Sequence, residues 1–375
     1  MPSRENYMQL ALELAAKGIA AVEPNPAVGC VIVKDDHILG QGFHERFGGP
    51  HAEINALADC RKKGYNPAGS TVYVTLEPCC HAGKTGPCTR ALIDAKVACV
   101  VAAIQDPTDK IAGKGLAELR RAGIEIVVGV CEAQARRLNA PFFKFAKTAR
   151  PWVIAKWAQS IDGKLAWQNP PVQNHWISSE KSRLDSQLLR KRTQAILVGV
   201  ETVISDNPRL TVRIPDTAID RPPLRVVLDT HLRMPWDSYL ITTPEAPTLV
   251  VTSRHTAYTE PDKITKLSHA GVNMLAVNEK DGHCDLTEVL VELGSQGIQQ
   301  LLVEGGPTVL SSFFREHLVD EVCIYIAPLI LGEGGIADLG AALLAGVAAE
   351  KLTDVKIQTL DHDVKITGLL NYPDI

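Results

Sequence analysis

Apolar residues recur at helical spacing over residues 5–18, where Tyr7, Leu10, Ala11 and Leu14 share one face and Gly18 ends the run. Shorter runs follow. Residues 27–34 and 38–43 read as strands, joined by Asp35-Asp36-His37, which suits a tight turn. A helix is predicted over 51–61, a β-rich run over 71–75, and a helix start near Pro87, where the missing N–H of proline is harmless. Residues 97–103 form a buried-looking strand, 116–122 a helix, 124–128 a strand, and 132–147 one longer amphipathic helix. This alternation predicts a layered α/β domain.

Pro151 stops the last of these helices, and a new strand begins at Trp152. A domain boundary is therefore placed between residues 148 and 149, giving domains 1–148 and 149–375. Past it, short apolar runs at 195–199, 224–228, 248–251, 272–276 and 299–303 alternate with helical segments such as 180–191 and 286–293. Runs at 321–327, 355–360 and 364–370 end the chain, with no helix between the last two. A mostly parallel sheet with an antiparallel edge is expected.

Composition narrows the function. At 375 residues, two domains are the natural expectation, and 45% hydrophobic residues suffice for two cores. A net charge of −4 without charge blocks argues against a polyanion binder. Aromatics at 5% are too few for stacking platforms on single-stranded nucleic acid. No apolar stretch resembles a signal peptide or a membrane span. Nine cysteines with no regular framework fit a reducing cytoplasm.

The chemistry concentrates between Gly49 and Cys88. Pro50-His51-Ala52-Glu53 opens this stretch, and Glu77-Pro78-Cys79-Cys80-His81 leads to Cys88. One His and two Cys can hold zinc on three sides and leave the fourth to water. His51 is at a helix start, Cys79 follows a strand, and Cys88 begins a helix, where the dipole favours a thiolate. Glu53, in the same first turn as His51, can shuttle protons beside the metal, the arrangement of a hydrolytic deaminase. Cys80 and His81 are alternative fourth ligands for a closed, structural zinc. Eight residues separate Cys79 from Cys88, where the usual deaminase pattern has two. The insertion places Lys84 and Thr85 beside the metal, as a substrate with an anionic tail would require.

These motifs resemble the bifunctional riboflavin-biosynthesis deaminase–reductase family. The matching pieces are Pro24-Asn25-Pro26-x-Val28-Gly29, Gly42-Phe43-His44, His51-Ala52-Glu53 and Glu77-Pro78-Cys79-x-His81-x-Gly83-Lys84-Thr85-x-Pro87-Cys88. In the second half they are Lys156-x-Ala158-x-Ser160-x-Asp162-Gly163, Val198-Gly199-x-x-Thr202-Val203, Asp206-Asn207-Pro208-x-Leu210-Thr211-x-Arg213 and Val303-Glu304-Gly305-Gly306-Pro307. They occur in the family's order over nearly the whole chain.

The resemblance implies a cytidine-deaminase-like three-layer domain followed by a dihydrofolate-reductase-like α/β domain. The first would deaminate a phosphorylated diaminopyrimidinone, and the second would reduce its ribosyl group with NADPH. By position, His51, Cys79 and Cys88 would bind zinc and Glu53 would be catalytic. Asn25, His44, His81 and Lys84 would contact the deaminase substrate. NADPH would contact Ala158, Trp176, Thr202, Asp206, Thr230, Gly306, Pro307, Thr308, Val309, Leu310, Ser311 and Ser312. The reductase substrate would meet Asn174, Arg190, Leu210, Arg213 and Glu304, with Arg190 and Arg213 on its phosphate, since guanidinium binds phosphate in two-pronged fashion. Ser253-Arg254, after a strand, is a candidate for the 2′-phosphate of NADPH. Pro170-Pro171 sits where relatives are shorter and richer in Gly and Ser. A homo-oligomer, dimer or tetramer, is expected.

Overall fold

The computed structural model describes residues 2–81, 86–108, 111–168, 176–219, 221–338 and 351–370, so Lys84 and Asn174 lie outside the described residues. The chain divides into two compact units, Met1–Ala149 and Arg150–Ile375.

In the first unit the order is α1 (Arg4–Ala16), β1 (Gly29–Lys34), β2 (His37–Phe43), α2 (Ala52–Lys62), β3 (Thr71–Val74), α3 (Cys88–Asp94), β4 (Cys99–Ala102), α4 (Lys114–Arg121), β5 (Glu125–Val128), α5 (Glu132–Leu138) and α6 (Ala140–Thr148). The strands form one sheet in the order β2-β1-β3-β4-β5. β1 is antiparallel to β2 and β3, whereas β3, β4 and β5 run parallel. Successive side chains on a strand point to opposite faces. Thus Cys30, Ile32, Val72 and Val100 pack on one side with Leu57 of α2, Leu92 of α3 and Leu119 of α4. Val31, Val33, Tyr73 and Val101 pack on the other side with Met8 and Ala11 of α1 and Ala135 of α5. Two helical layers on one sheet make the three-layer fold.

The single helix expected over 132–147 is two. It breaks at Asn139, whose buried side chain accepts from Ala27 N and donates to Ala27 O, both at 2.8 Å. Pro141 follows in the first turn of α6, where it lacks an N–H to continue the earlier helix. Helical periodicity runs through both pieces, so the pattern hides a break made by a partner far away in sequence.

The second unit contains β6 (Trp152–Ser160), β7 (Lys164–Trp167), α7 (Glu180–Arg192), β8 (Ala195–Gly199), α8 (Val200–Asp206), β9 (Leu224–Leu228), α9 (Tyr239–Thr242), β10 (Thr248–Ser253), α10 (Arg254–Thr259), α11 (Pro261–His269), β11 (Asn273–Val277), β12 (Glu279–Lys280), β13 (His283–Cys284), α12 (Leu286–Ser295), β14 (Gln300–Val303), α13 (Pro307–Arg315), β15 (Glu321–Ala327), β16 (Gly335–Asp338), β17 (Thr353–Leu360) and β18 (Asp363–Leu369). Nine strands form its main sheet, in the order β11-β10-β9-β8-β14-β6-β15-β18-β17. It is parallel as far as β15, and β18 and β17 add the expected antiparallel edge. Val153, Leu197, Val226, Val251 and Leu301 pack under Leu290 of α12 and Phe313 of α13.

Candidate active site

Three elements of the first unit meet at one point. His51 caps the start of α2 with an extended backbone, Cys79 lies beyond the end of β3, and Cys88 opens α3. His51 Nδ1 is 3.4 Å from both Cys79 Sγ and Cys88 Sγ. The Cys88 N–H donates to Cys79 Sγ at 3.4 Å. All three ligand atoms lie within 4.8 Å of one another, in a group that contains neither Cys80 nor His81. Ligands of a tetrahedral zinc, each about 2.0–2.3 Å from the ion, stand about 3.3–3.8 Å apart, so this set fits zinc. Three ligands leave an open position, the mark of a catalytic site.

The electrostatics suit metal binding. The hydrogen bond from Cys88 draws the Cys79 thiol down to about 4, against its burial and with help from His51. Cys88 is held up by the same neighbour and by burial. The pair thus sheds one proton easily, and a zinc ion takes both sulfurs as thiolates.

Glu53 sits in the first turn of α2 and is 3% exposed. Burial, then the charge of Cys79, pushes its carboxyl up to about 7. A buried carboxyl beside the metal ligands can both take and return a proton. His44 stands edge-on to His51, with ring centroids 5.3 Å apart. Its Nδ1 is 2.9 Å from Pro50 O, which can only accept, so Nδ1 carries the proton. Nε2 then accepts from Asn25 Nδ2 at 3.1 Å. Burial lowers the His44 pKa, in keeping with this neutral ring.

These groups open onto a cavity of about 390 Å³, also lined by Phe47, His81, Asp106, Ile111 and Phe142. The size suits a small ligand. The fold brings Asn25, His44 and His81 to its wall. Asp106, Ile111 and Phe142 were missed. One signal could have found Asp106: it follows β4, and ligands gather beyond the carboxyl ends of strands in open α/β sheets. Asp106 is buried and accepts from the N–H and hydroxyl of Thr108. Its carboxyl is raised chiefly by that burial.

The second unit gathers its expected cofactor residues at the carboxyl ends of its parallel strands. Ala158 lies in the last half of β6, Thr202 in the first turn of α8 after β8, Thr230 beyond β9, and Gly306 caps α13 after β14. Gly199 and Gly305 both lack a side chain because Val309 fills the space: a Cβ on either would stand 2.7 Å from a Val309 carbon. Thr202 Oγ1 is close to Gly306, so the starts of α8 and α13 lie side by side.

Other expected contacts are placed differently. Leu310 and Ser311 are buried, Leu310 in the hydrophobic core, and Ser312 donates to the carbonyl of Thr308. Helical periodicity turns Leu310 and Ser311 inward, while Ser312 stays half-buried. The hydroxyl of Thr230 is engaged with Cys284. The hydroxyl of Ser253 is buried and caps α10, and the exposed side chain of Arg254 pairs with Glu288. Asp206 is exposed at the end of α8, and Trp176 is half-exposed under the guanidinium of Arg183. Leu210 is buried, with a left-handed backbone at φ 50 that bulky residues rarely adopt.

Arg190 is spent within the protein. It grips Glu304 with Nε and a terminal nitrogen and donates its remaining nitrogen to Thr211 O at 3.0 Å. Arg213, the other arginine expected at the phosphate, is exposed.

Comparison with known proteins agrees with this two-part construction. A family model described as the cytidine and deoxycytidylate deaminase zinc-binding region matches residues 1–104, and one described as the RibD C-terminal domain matches residues 151–366. The riboflavin biosynthesis protein RibD of Aquifex aeolicus is 43% identical over 96% of this chain and 97% of its own length. The chain belongs to the RibD family. RibD of Escherichia coli is 40% identical over 93% of both chains. The solved RibD of Acinetobacter baumannii superposes with a TM-score of 0.83 at 37% identity, covering 98% of this chain and 99% of that one. A deaminase/reductase from Thermotoga maritima gives 0.83 at 34% identity, covering 98% of each. RibD membership makes this chain a bifunctional enzyme of riboflavin biosynthesis, a zinc-dependent deaminase joined to an NADPH-dependent reductase. Among the described residues no helix is long and apolar enough to cross a membrane.

Proposed function

We propose that the first unit deaminates 2,5-diamino-6-(5-phosphoribosylamino)pyrimidin-4(3H)-one and that the second reduces the ribosyl group of the product to ribityl. The observation that carries this reading is the convergence of His51, Cys79, Cys88 and buried Glu53 on one small cavity. The Thermotoga maritima relative bears the corresponding name, diaminohydroxyphosphoribosylaminopyrimidine deaminase/5-amino-6-(5-phosphoribosylamino)uracil reductase.

His51, Cys79 and Cys88 would hold the zinc. When bound, it supplies a water whose proton is lost near neutral pH. Glu53 takes that proton on its carboxylate. It returns it to the ring nitrogen beside the reacting carbon and then assists departure of the amine as ammonia. A carbon–oxygen bond forms and a carbon–nitrogen bond breaks, with water consumed. Asn25 spends a donor on His44, which supports its Oδ1 as the acceptor for a ring amine. His81 and Lys84 would face the substrate's outer part.

In the second unit Ala158, Thr202 and the start of α13 at Gly306, Pro307 and Thr308 would hold NADPH, with Trp176 and Asp206 at the margin. NADPH, when bound, supplies the hydride. Free N–H groups at the α13 start favour its phosphates. Arg213 would take the substrate phosphate, with Leu210 and Asn174 beside it. The Arg190–Glu304 pair would form the floor of this pocket. The free cysteines, spread over both units, support a reducing, cytoplasmic setting. Exposed Val355 and Ile357 on the edge strand β17 support a homo-oligomer, a dimer or tetramer, which sedimentation would measure.

The test is to supply the diaminopyrimidinone ribosyl phosphate with and without NADPH. Ammonia release in both arms, with NADPH oxidised only after it, is expected. NADPH oxidation without ammonia release would reject the order.

A further inference from the structure

Glu77 lies between the end of β3 and Cys79 and lines the same cavity as His51 and Cys79. It is 4% exposed and accepts four backbone N–H groups. Oε2 takes Asp106 at 3.2 Å and Gly113 at 2.9 Å. Oε1 takes Gly115 at 2.9 Å and Leu116 at 3.2 Å. Gly115 and Leu116 lie in the first turn of α4, whose N–H groups have no partner within the helix. The packing there is close: a Cβ on Gly115 would stand 2.2 Å from Pro78 O.

We propose that Glu77 is a positioning residue that sets the substrate-facing wall of the deaminase cavity. One buried acid ties Asp106 and the start of α4 to the segment after β3 that carries Cys79. Asp106, Thr108 and Ile111 line the cavity together with His51, Glu53 and Glu77. Without the carboxylate, three buried N–H groups and the half-buried one of Gly113 lose their acceptor, and the wall loses its tie to the Cys79 segment. The Glu53 side is tied down by α2 and does not depend on these bonds. Loss of Glu77 should therefore act on substrate binding rather than on the metal or the proton shuttle.

This rests on the first-unit cavity being the deaminase site, which ammonia release by the unaltered enzyme establishes separately. In the zinc-loaded full-length enzyme, Glu77→Gln is expected to raise the deaminase KM roughly 30-fold, because an amide offers one oxygen to four donors. The kcat should change by less than about threefold, and zinc content should match the unaltered protein. Gly115→Ala, whose Cβ would stand 2.2 Å from Pro78 O and 3.2 Å from Glu77 Oε1, displaces the same helix start from the carboxylate and is expected to raise KM in the same direction. NADPH oxidation with the pre-deaminated product reports folding of the second unit in each sample, and unfolding profiles report the first. Zinc loss in Glu77→Gln, a fall in kcat at unchanged KM, or unaltered kinetics in both variants would overturn the proposal.

Discussion

The guanidinium of Arg190 meets the carboxylate of Glu304 in a two-pronged pair, Nε to Oε1 at 2.9 Å and a terminal nitrogen to Oε2 at 2.6 Å. Both side chains are nearly buried, at 12% and 8% exposure. Burial alone would raise the Glu304 carboxyl, but Arg190, with Lys156 and Arg213, holds it down at about 2. Breaking such a pair strands a charge in the interior, so Arg190→Met is expected to destabilise the second unit by about 3–5 kcal/mol, read by denaturant unfolding. Arg190→Met with Glu304→Leu should recover part of that loss, because neither charge is then left alone.

The same pair gives the second unit an acid limit. A carboxyl with an unfolded value of about 4.3 and a folded value near 2 contributes stability that is whole above the first and lost as pH falls through the second. The melting temperature of the second unit should therefore drop between about pH 4.3 and pH 2, and Glu304→Gln should flatten that slope.

Glu53→Gln removes the proton carrier and leaves the three zinc ligands. It should retain zinc and lower ammonia release by at least about 100-fold. The reductase, fed the deaminated product, should keep its rate. Full deaminase activity in a zinc-loaded Glu53→Gln sample would reject the role.

Chelation, or Cys88→Ser, should separate the two activities. Deamination is expected to disappear with the metal, and NADPH oxidation by the second unit should persist. Metal analysis beside the two assays is the measurement.

Asn139→Ala orphans the N–H and the carbonyl of Ala27, each buried and each bonded at 2.8 Å. A cost of about 2–4 kcal/mol to the first unit is expected, read as a lowered unfolding midpoint. Ala27 adjoins Asn25 and Pro26 at the cavity, so the deaminase KM should rise as well.

The metal triad and Glu53 were legible because their chemistry is local. A His and a Glu in one helical turn, and two Cys bracketing a loop, carry their meaning in residue type and spacing. The alternation of strands and helices was legible for the same reason, since periods of two and of about 3.6 are properties of short segments. The break at Asn139, the tie from Glu77 to Asp106, Gly113, Gly115 and Leu116, and the closed Arg190–Glu304 pair were not. Each joins positions far apart in the chain. An arginine matched to a phosphate and one matched to a buried glutamate read alike in one dimension. They part only when folding brings a carboxylate within 3 Å of the guanidinium and desolvation obliges the two charges to satisfy each other.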